Sequence, residues 1–241
     1  MFFTYASNLP RGVGFSLFSA PHLCALAAIL LFCLFGARWY KNLPDRKRRQ
    51  YARALGLLLF LTDMLRYAVY WRMGGLSIYE LPLHLCGLAV YLCILHSLWK
   101  PDWLSQTLYT LCLPGACCAL VFPDWTMYPF FSFVSLHSFL AHALLVLYIV
   151  AQTASGEIVP RLSAIWKPLL FLCIVIPPIY WFDTQFHANY MFLQLPSAGS
   201  PLMILSQWAR GRHAVYLLLF AGIAFLVMLC MDLPFIKRYR R

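Results

Sequence analysis

The sequence of 241 residues is 62% hydrophobic and 11% charged, and its formal net charge is +11. Soluble domains carry about a quarter charged residues, so this composition excludes a soluble protein and leaves no room for a separate soluble domain. We predict a single transmembrane domain over residues 1–241. Arg11 is the one basic residue ahead of the first apolar run and no small-residue cleavage site follows it, so we expect no cleaved signal peptide.

Apolar segments recur along the whole chain. A membrane-spanning helix needs about 20 mostly apolar residues. On that basis the sequence predicts an all-α, polytopic integral membrane helical bundle of about seven transmembrane helices. Pro177 and Pro178 interrupt the sixth segment and should kink or break it. The segments cover about residues 20–37, 53–72, 81–99, 104–122, 130–151, 166–182 and 213–232.

Basic residues indicate how these segments are oriented, because cytoplasmic loops carry an excess of Lys and Arg. Seven crossings with the N-terminus outside place both basic clusters of the chain, and its C-terminus, in the cytoplasm. An even number of crossings would separate the two clusters. They consist of Arg38, Lys41, Arg46, Lys47, Arg48, Arg49 and Arg53 after the first segment, and of Lys237, Arg238, Arg240 and Arg241 at the C-terminus.

This arrangement assigns the positive charge to topology and to anionic lipid headgroups, and not to nucleic acid. We expect a multi-pass protein of the cell membrane whose partners are membrane phospholipids. The longest segment outside the predicted helices, about 183–212, then lies outside the cell. A segment of this length is often a lid or a binding element, and a re-entrant or interfacial helix is the alternative.

The nine cysteines all fall in apolar runs. Buried free cysteine behaves as a small apolar residue, so eight of them are interpreted as packing residues. The chain has no Cys/His cluster with zinc spacing and no Gly-rich phosphate loop, so we expect no metal and no cofactor. Cys86 differs from the other eight because it lies among polar residues at the start of the third segment.

Two ionisable residues, Asp63 and Arg66, lie in the outer half of the second segment. They are three residues apart and therefore share a helix face. One interpretation is a buried ion pair in which the two side chains bond each other and stabilise the packing of the helices. The other is that Arg66 binds a lipid phosphate or carboxylate while Asp63 orients a further group.

The third segment begins with Leu-Pro-Leu-His-Leu-Cys-Gly at 81–87, directly after Glu80. Glu80 and His84 are four residues apart and would share a helix face. Cys86 would point about 200° away from His84 at 100° per residue. His84 is therefore a poor base for Cys86, and the thiol needs a base from another helix.

The fifth segment offers two such bases, His137 and His142. Each can equally be a hydrogen-bonded core histidine, and their spacing does not choose between them. The ionisable groups nevertheless gather in the outer halves of the segments, which predicts a polar pocket open to the outer leaflet. A thiolate in that pocket can attack an ester carbonyl and hold the acyl group as a thioester, with an imidazole as the base.

These motifs resemble those of the YwaF-like bacterial integral membrane proteins, a family that includes the animal transmembrane protein 164. The resemblance extends over most of residues 15–235, with Ala143 in place of an expected glycine and Ser-Gln-Trp-Ala at 206–209 in place of Gly-x-Trp-Pro. It implies a cysteine-dependent acyltransferase that remodels phospholipids, with Cys86 as the nucleophile and His142 as the base. The matching pieces are Leu-Pro-Leu-His-Leu-Cys at 81–86, Phe-Leu-Ala-His at 139–142, Asn-Tyr-Met-Phe-Leu at 189–193 with Pro196, and Ser-Pro-Leu at 200–202 with Trp208.

The leading hypothesis is therefore a membrane-embedded phospholipid acyltransferase. Arg66 and Asp63 would hold the lipid headgroup, and Asn189 would donate to the oxyanion. The alternative is a non-catalytic protein that binds or transports a lipid or small solute, in which Asp63 and Arg66 matter more than Cys86. A lipid hydrolase would share the site and admit water. The remaining predicted substrate-binding residues are Glu80, His84, His137 and Tyr190.

Overall fold

The computed structural model describes residues 1–235 and is all-helical over that part of the chain. The predicted C-terminal basic cluster lies outside the described residues. Six helices are long and apolar enough to cross a membrane, which confirms a polytopic helical membrane protein. The α-helices are α1 (Ala20–Lys41), α2 (Asp45–Arg72), α3 (Leu85–Leu98), α4 (Asp102–Thr107), α5 (Leu113–Val121), α6 (Phe133–Ala154), α7 (Trp166–Phe186), α8 (Leu202–Ala209) and α9 (His213–Asp232).

Helix α6 lies at the centre of the molecule and packs against α1, α2, α3 and α5. Its buried positions are mostly small or branched apolar residues, so neighbouring helices approach closely. The outward faces of α1, α2, α7 and α9 carry exposed Leu, Phe, Ile and Trp side chains. An apolar exterior of this kind is the surface that lipid requires.

Helices α5 and α6 run in opposite directions, and α1 runs parallel to α6. Cross-contacts establish this: His22 near the start of α1 contacts the carbonyl oxygen of Leu120 near the end of α5, and Tyr40 near the end of α1 contacts Glu157 after α6. We call the side that carries Lys100 and Glu157 the basic side. The other side carries residues 73–84, 122–132 and 187–212 and is called the loop side.

Helix α3 has 14 residues and begins at Leu85, four residues later than the predicted segment. Pro82 lies in the intervening stretch, has no N–H group and disfavours helix at the residue before it. A 14-residue helix is about 21 Å long, shorter than the roughly 30 Å hydrocarbon layer. Helix α3 alone is therefore too short to span the layer, and residues 81–84 before it are non-helical.

Helices α4 and α5 form one continuous rod, Asp102–Val121, through a π-helical turn at Leu108–Cys112. Pro114 explains the turn, because it has no N–H to offer the carbonyl four residues before it. In contrast, Pro177 and Pro178 do not break α7, which is helical from Trp166 to Phe186. The predicted break is therefore absent, and the alternative of a kink at these residues stays a prediction.

The first nineteen residues fold against the loop side. The backbone N–H of Phe133 donates to the carbonyl oxygen of Phe2 over 3.0 Å, and that of Phe15 donates to Thr126 over 3.0 Å. The ring of Tyr5 occupies the space that a side chain at residue 75 would need, so only glycine fits there. The N-terminal segment thus holds the loops on which several predicted site residues lie.

Candidate active site

Cys86 is the second residue of α3 and is partly buried. The first backbone N–H groups of a helix have no partner within the helix, and they favour negative charge nearby. Gly87, the next residue, lets the backbone of Pro82 pack onto this turn, because a Cβ there would lie 2.9 Å from the Pro82 Cα. Cys86 forms no hydrogen bond with any residue from 1 to 235.

His142 lies on α6 with its Nδ1 atom 2.7 Å from the carbonyl oxygen of Ser138. A carbonyl oxygen only accepts, so Nδ1 carries the proton and Nε2 of the neutral ring has a free lone pair. The indole of Trp125 stacks on this ring at a centroid distance of 5.1 Å and an interplanar angle of 27°. His142 is thus an oriented imidazole in the tautomer that a general base requires.

Asp124 directly precedes Trp125, the residue that stacks on His142, and the sequence did not predict it as a site residue. Partial desolvation raises the pKa of the Asp124 carboxyl, and His142 opposes that rise. The residue is exposed on the loop side. In the sequence, Pro-Asp-Trp at 123–125 has the composition of an ordinary turn and gives no signal of a site.

Cys86 packs against the buried apolar cluster to which α3, α5 and α6 contribute. The predicted nucleophile and base thus lie on α3 and α6, two helices that are in contact. They are not hydrogen-bonded to each other. Catalytic contacts are often long in the absence of substrate, so a carbonyl group can bind between them before the proton moves.

Asp63 and Arg66 form a closed ion pair. One Asp63 oxygen accepts from Arg66 over 3.0 Å, and the other accepts from the Tyr91 hydroxyl over 2.9 Å. The remaining guanidinium N–H groups of Arg66 donate to the backbone carbonyl and the carboxylate of Glu80 over 3.3–3.4 Å. Arginine has five N–H donors, and these contacts occupy them. The geometry favours the packing interpretation of this pair over headgroup binding.

Glu80 and His84 do not share a helix face, because Glu80 ends a short 3₁₀ turn and His84 precedes α3. The Glu80 carboxylate accepts a hydrogen bond from the Tyr5 hydroxyl as well as the Arg66 contact. Burial raises the pKa of Glu80, while Tyr5 and Arg66 oppose that rise. Glu80 therefore joins the N-terminal segment to α2 in this structure.

His84 has an Nδ1 atom that accepts the backbone N–H of Met191 over 3.2 Å. Its ring packs against Tyr190 and Phe192 at centroid distances of 5.0 and 5.3 Å. The side chain is only partly buried. His84 thus lies between the start of α3 and the loop-side segment at 187–212.

Asn189 and Tyr190 shape that segment. The Asn189 side-chain oxygen accepts the N–H groups of Gln194 and Leu195, and its amide donates to the Leu195 carbonyl, all over 3.0 Å. One amide hydrogen of Asn189 is thus used within the loop, and the expected oxyanion contact stays a prediction. The Tyr190 hydroxyl accepts from the Leu81 N–H over 2.9 Å and donates to the Ile78 carbonyl over 2.6 Å.

His137 has a structural contact. Its Nε2 donates to the carbonyl oxygen of Thr62 on α2 over 2.9 Å, and its ring stacks on Phe133. The two histidines that spacing left equivalent are therefore distinguished by their partners. His137 joins two helices, whereas Nε2 of His142 has no hydrogen-bond partner among residues 1–235.

A cleft on the loop side lies between the N-terminal segment and the turn before α6. Its lining includes Leu9, Arg11, Phe15 and Thr126. None of the predicted site residues lines it in the described chain. The expected polar pocket is therefore not this cleft, although Thr126 follows Asp124 and Trp125 closely.

Comparison with known proteins gives one match. The model of the TMEM164 family matches residues 17–232, which is most of the chain and includes every residue of the site. No curated protein and no solved structure matches the sequence.

Proposed function

Since the chain belongs to the TMEM164 family, we propose that it is a membrane-embedded acyltransferase that moves phospholipid acyl chains through a thioester on Cys86. The observation that carries this proposal is the tautomer of His142. Its Nδ1–H group is held by the Ser138 carbonyl, so Nε2 is free to take a proton. A partly buried thiol lies in the same region, at the first turn of a helix.

In the first half-reaction the Cys86 sulfur attacks the ester carbonyl of a phospholipid, and the thiol proton moves to Nε2 of His142. A carbon–sulfur bond forms and the carbonyl electron pair moves onto its oxygen. When that pair returns, the ester carbon–oxygen bond breaks. The departing lysophospholipid oxygen takes the proton from His142, which leaves a neutral imidazole and an acyl thioester.

In the second half-reaction the hydroxyl group of an acceptor lipid attacks the thioester. His142 takes the hydroxyl proton and returns it to the Cys86 sulfur as the carbon–sulfur bond breaks. A free thiolate among apolar side chains is costly, so we expect proton transfer to accompany each attack. Cys86 packs against buried apolar side chains, so we expect water to be largely excluded, which favours lipid acceptors.

Membrane phospholipids of the cell membrane are the proposed substrates. The contacts of Arg66 do not support the alternative of a charged solute or headgroup site, because Asp63 and Glu80 occupy its donors. Lipid selection in the proposed enzyme therefore depends on the acyl chain and its carbonyl. We expect the headgroup to contribute through contacts at the loop side.

The test is acyl transfer by the purified full chain in liposomes. A phosphatidylcholine with an isotopically labelled acyl chain is the donor, and a lysophospholipid is the acceptor. We expect transfer by the unaltered protein and background levels for Cys86→Ala and His142→Ala. Cys173→Ala is the matched control, because Cys173 is exposed on α7. Full transfer by Cys86→Ala at normal expression would end the cysteine mechanism.

A further inference from the structure

We propose that the Nε2–H group of His84 donates the hydrogen bond that stabilises the oxygen of the reacting acyl carbonyl. This inference rests on the proposed function, because it assigns a second histidine to the same reaction. It differs from the oxyanion donor suggested by the sequence, Asn189, which uses one amide hydrogen within the loop. His84 would be a catalytic residue that donates a hydrogen bond and transfers no proton.

The hydrogen bonding of His84 fixes its tautomer. Nδ1 accepts the backbone N–H of Met191 over 3.2 Å, and a nitrogen that accepts has no proton of its own. The neutral ring therefore carries its proton on Nε2. No residue between 1 and 235 accepts a hydrogen bond from that Nε2–H. A partly exposed donor is thus available to a bound molecule.

The tautomers of His84 and His142 are opposite. In His142 the Nδ1 donates and Nε2 has the free lone pair, whereas in His84 the Nδ1 accepts and Nε2 has the free hydrogen. A base and a neutral donor are the two groups that acyl transfer needs beside its nucleophile. Two other histidines, His22 and His96, have both ring nitrogens in contacts with the protein.

The position of His84 suits this role. It is the N-cap residue of α3 and precedes Cys86 by two residues, so the donor and the sulfur share one turn of chain. The first N–H groups of α3 point toward the same end of the helix. In the proposed complex the carbonyl oxygen lies between the His84 Nε2–H and these N–H groups.

The backbone of the loop-side segment is strained where it contacts His84. Met191 and Phe192 have φ angles of 52° and 58°, a left-handed conformation that is unfavourable for a non-glycine residue. The side chains of Asn189 and Tyr190 hold this conformation through hydrogen bonds on both sides. One result of the strain is the N–H of Met191 directed at the His84 ring, which orients its donor.

In the proposed step the Cys86 sulfur attacks, and the carbonyl electron pair moves onto oxygen. That oxygen accepts the His84 Nε2–H as its negative charge develops. When the intermediate collapses, the pair returns to the carbonyl and the hydrogen bond weakens. The proton that leaves the thiol goes to His142 and then to the departing lipid oxygen, so His84 is unchanged.

The test compares His84→Met with His84→Gln in the full chain in liposomes. Glutamine keeps an amide donor at about the reach of Nε2, and methionine has similar length without one. Removing one oxyanion donor typically lowers kcat about 10²–10³-fold. We expect that loss for His84→Met, with an unchanged KM, and recovery to within about 10-fold of the unaltered rate for His84→Gln.

Formation of the Cys86 thioester is followed by mass spectrometry in the same samples. His187→Asn is the matched control, since His187 is exposed on the loop side and asparagine tolerates its left-handed φ of 52°. Each rate is divided by the amount of folded protein, which is determined by thermal unfolding. Thioester formation by His84→Met at the unaltered rate would overturn the His84 assignment alone. Absence of the thioester in the unaltered protein would overturn the proposed function itself.

Discussion

The Nδ1 atom of His142 lies 2.7 Å from the carbonyl oxygen of Ser138, one turn earlier on α6. This contact directs the free lone pair to Nε2, where it can serve the Cys86 thiol. His137 on the same helix instead uses its Nε2 to reach Thr62 on α2. Two histidines five residues apart therefore have different roles because their hydrogen-bond partners differ.

We expect opposite outcomes when His142 and His137 are each replaced by glutamine. His142→Gln should reduce acyl transfer to background, because an amide cannot take the thiol proton. His137→Gln should keep transfer per folded molecule, because the amide can still donate to Thr62. Both are measured with labelled phospholipid in liposomes. Loss of transfer in both variants at normal folding would contradict the assignment of the base.

Arg66 should matter for stability and not for substrate affinity. Arg66→Met leaves the Asp63 carboxylate buried without its cation, which costs about 3–5 kcal/mol for a broken buried pair. The unfolding free energy in detergent measures this loss. Adding Asp63→Asn should restore part of it, since the two effects share one contact.

The opposite result would restore the headgroup interpretation. If Arg66→Met unfolds at the same temperature as the unaltered protein and its KM for phospholipid rises, then Arg66 binds lipid. The Tyr91 hydroxyl, which donates to Asp63, provides a further check. Tyr91→Phe should lower stability by about 1 kcal/mol, the usual contribution of one hydrogen bond.

The glycine after Cys86 should be sensitive to a single methyl group. In Gly87→Ala the new Cβ would lie 2.9 Å from the Pro82 Cα and 3.0 Å from its carbonyl carbon. Backbone cannot yield as a flexible side chain does, so we expect a loss of about 1–3 kcal/mol and a displaced Cys86. Gly222→Ala is the matched control, because a Cβ there meets nothing within 4 Å in α9.

The control variant should be neutral or more stable by up to about 1 kcal/mol, since alanine favours helix over glycine. Transfer rate and unfolding temperature are measured for both variants. Equal behaviour of Gly87→Ala and Gly222→Ala would mean that the packing of Pro82 on α3 does not position the nucleophile.

Stability should depend on pH through Glu80. Burial raises its pKa above the ordinary 4.5, so the folded protein holds this proton more tightly than the unfolded chain does. The resulting contribution is present at low pH and is lost as pH rises through the folded pKa. We expect the unfolding temperature to fall less steeply with rising pH in Glu80→Gln. Parallel curves for both proteins would contradict this account.

The sequence was sufficient to predict a helical membrane protein, because hydropathy alone identifies this fold class. Each of the seven apolar segments overlaps a helix of the structure, from 20–37 in α1 to 213–232 in α9. The start of α3 was not predictable in the same way. Leu81, Leu83 and Leu85 continue the apolar run, and the chain nevertheless becomes helical only after Pro82 and His84.

The site was predictable in its parts and not in its arrangement. Cys86 and the histidines stand out as polar residues in apolar segments, which is a property of the sequence. Contacts between distant segments decide which histidine ring keeps a nitrogen without a hydrogen-bond partner. Examples are the contacts of His137 with Thr62 and of His84 with Met191. Asp124 was not predictable because its neighbour Trp125 reaches His142 only when the turn before α6 folds back.

The proposed mechanism depends on a covalent acyl group on Cys86. Intact-protein mass spectrometry after incubation with labelled phospholipid, without an acceptor lipid, detects this thioester. We expect one labelled acyl group per chain, located on Cys86, removed by hydroxylamine and absent from Cys86→Ser. The mechanism is wrong if the protein transfers the label to lysophospholipid while Cys86 remains unmodified, or if Cys86→Ser still transfers it.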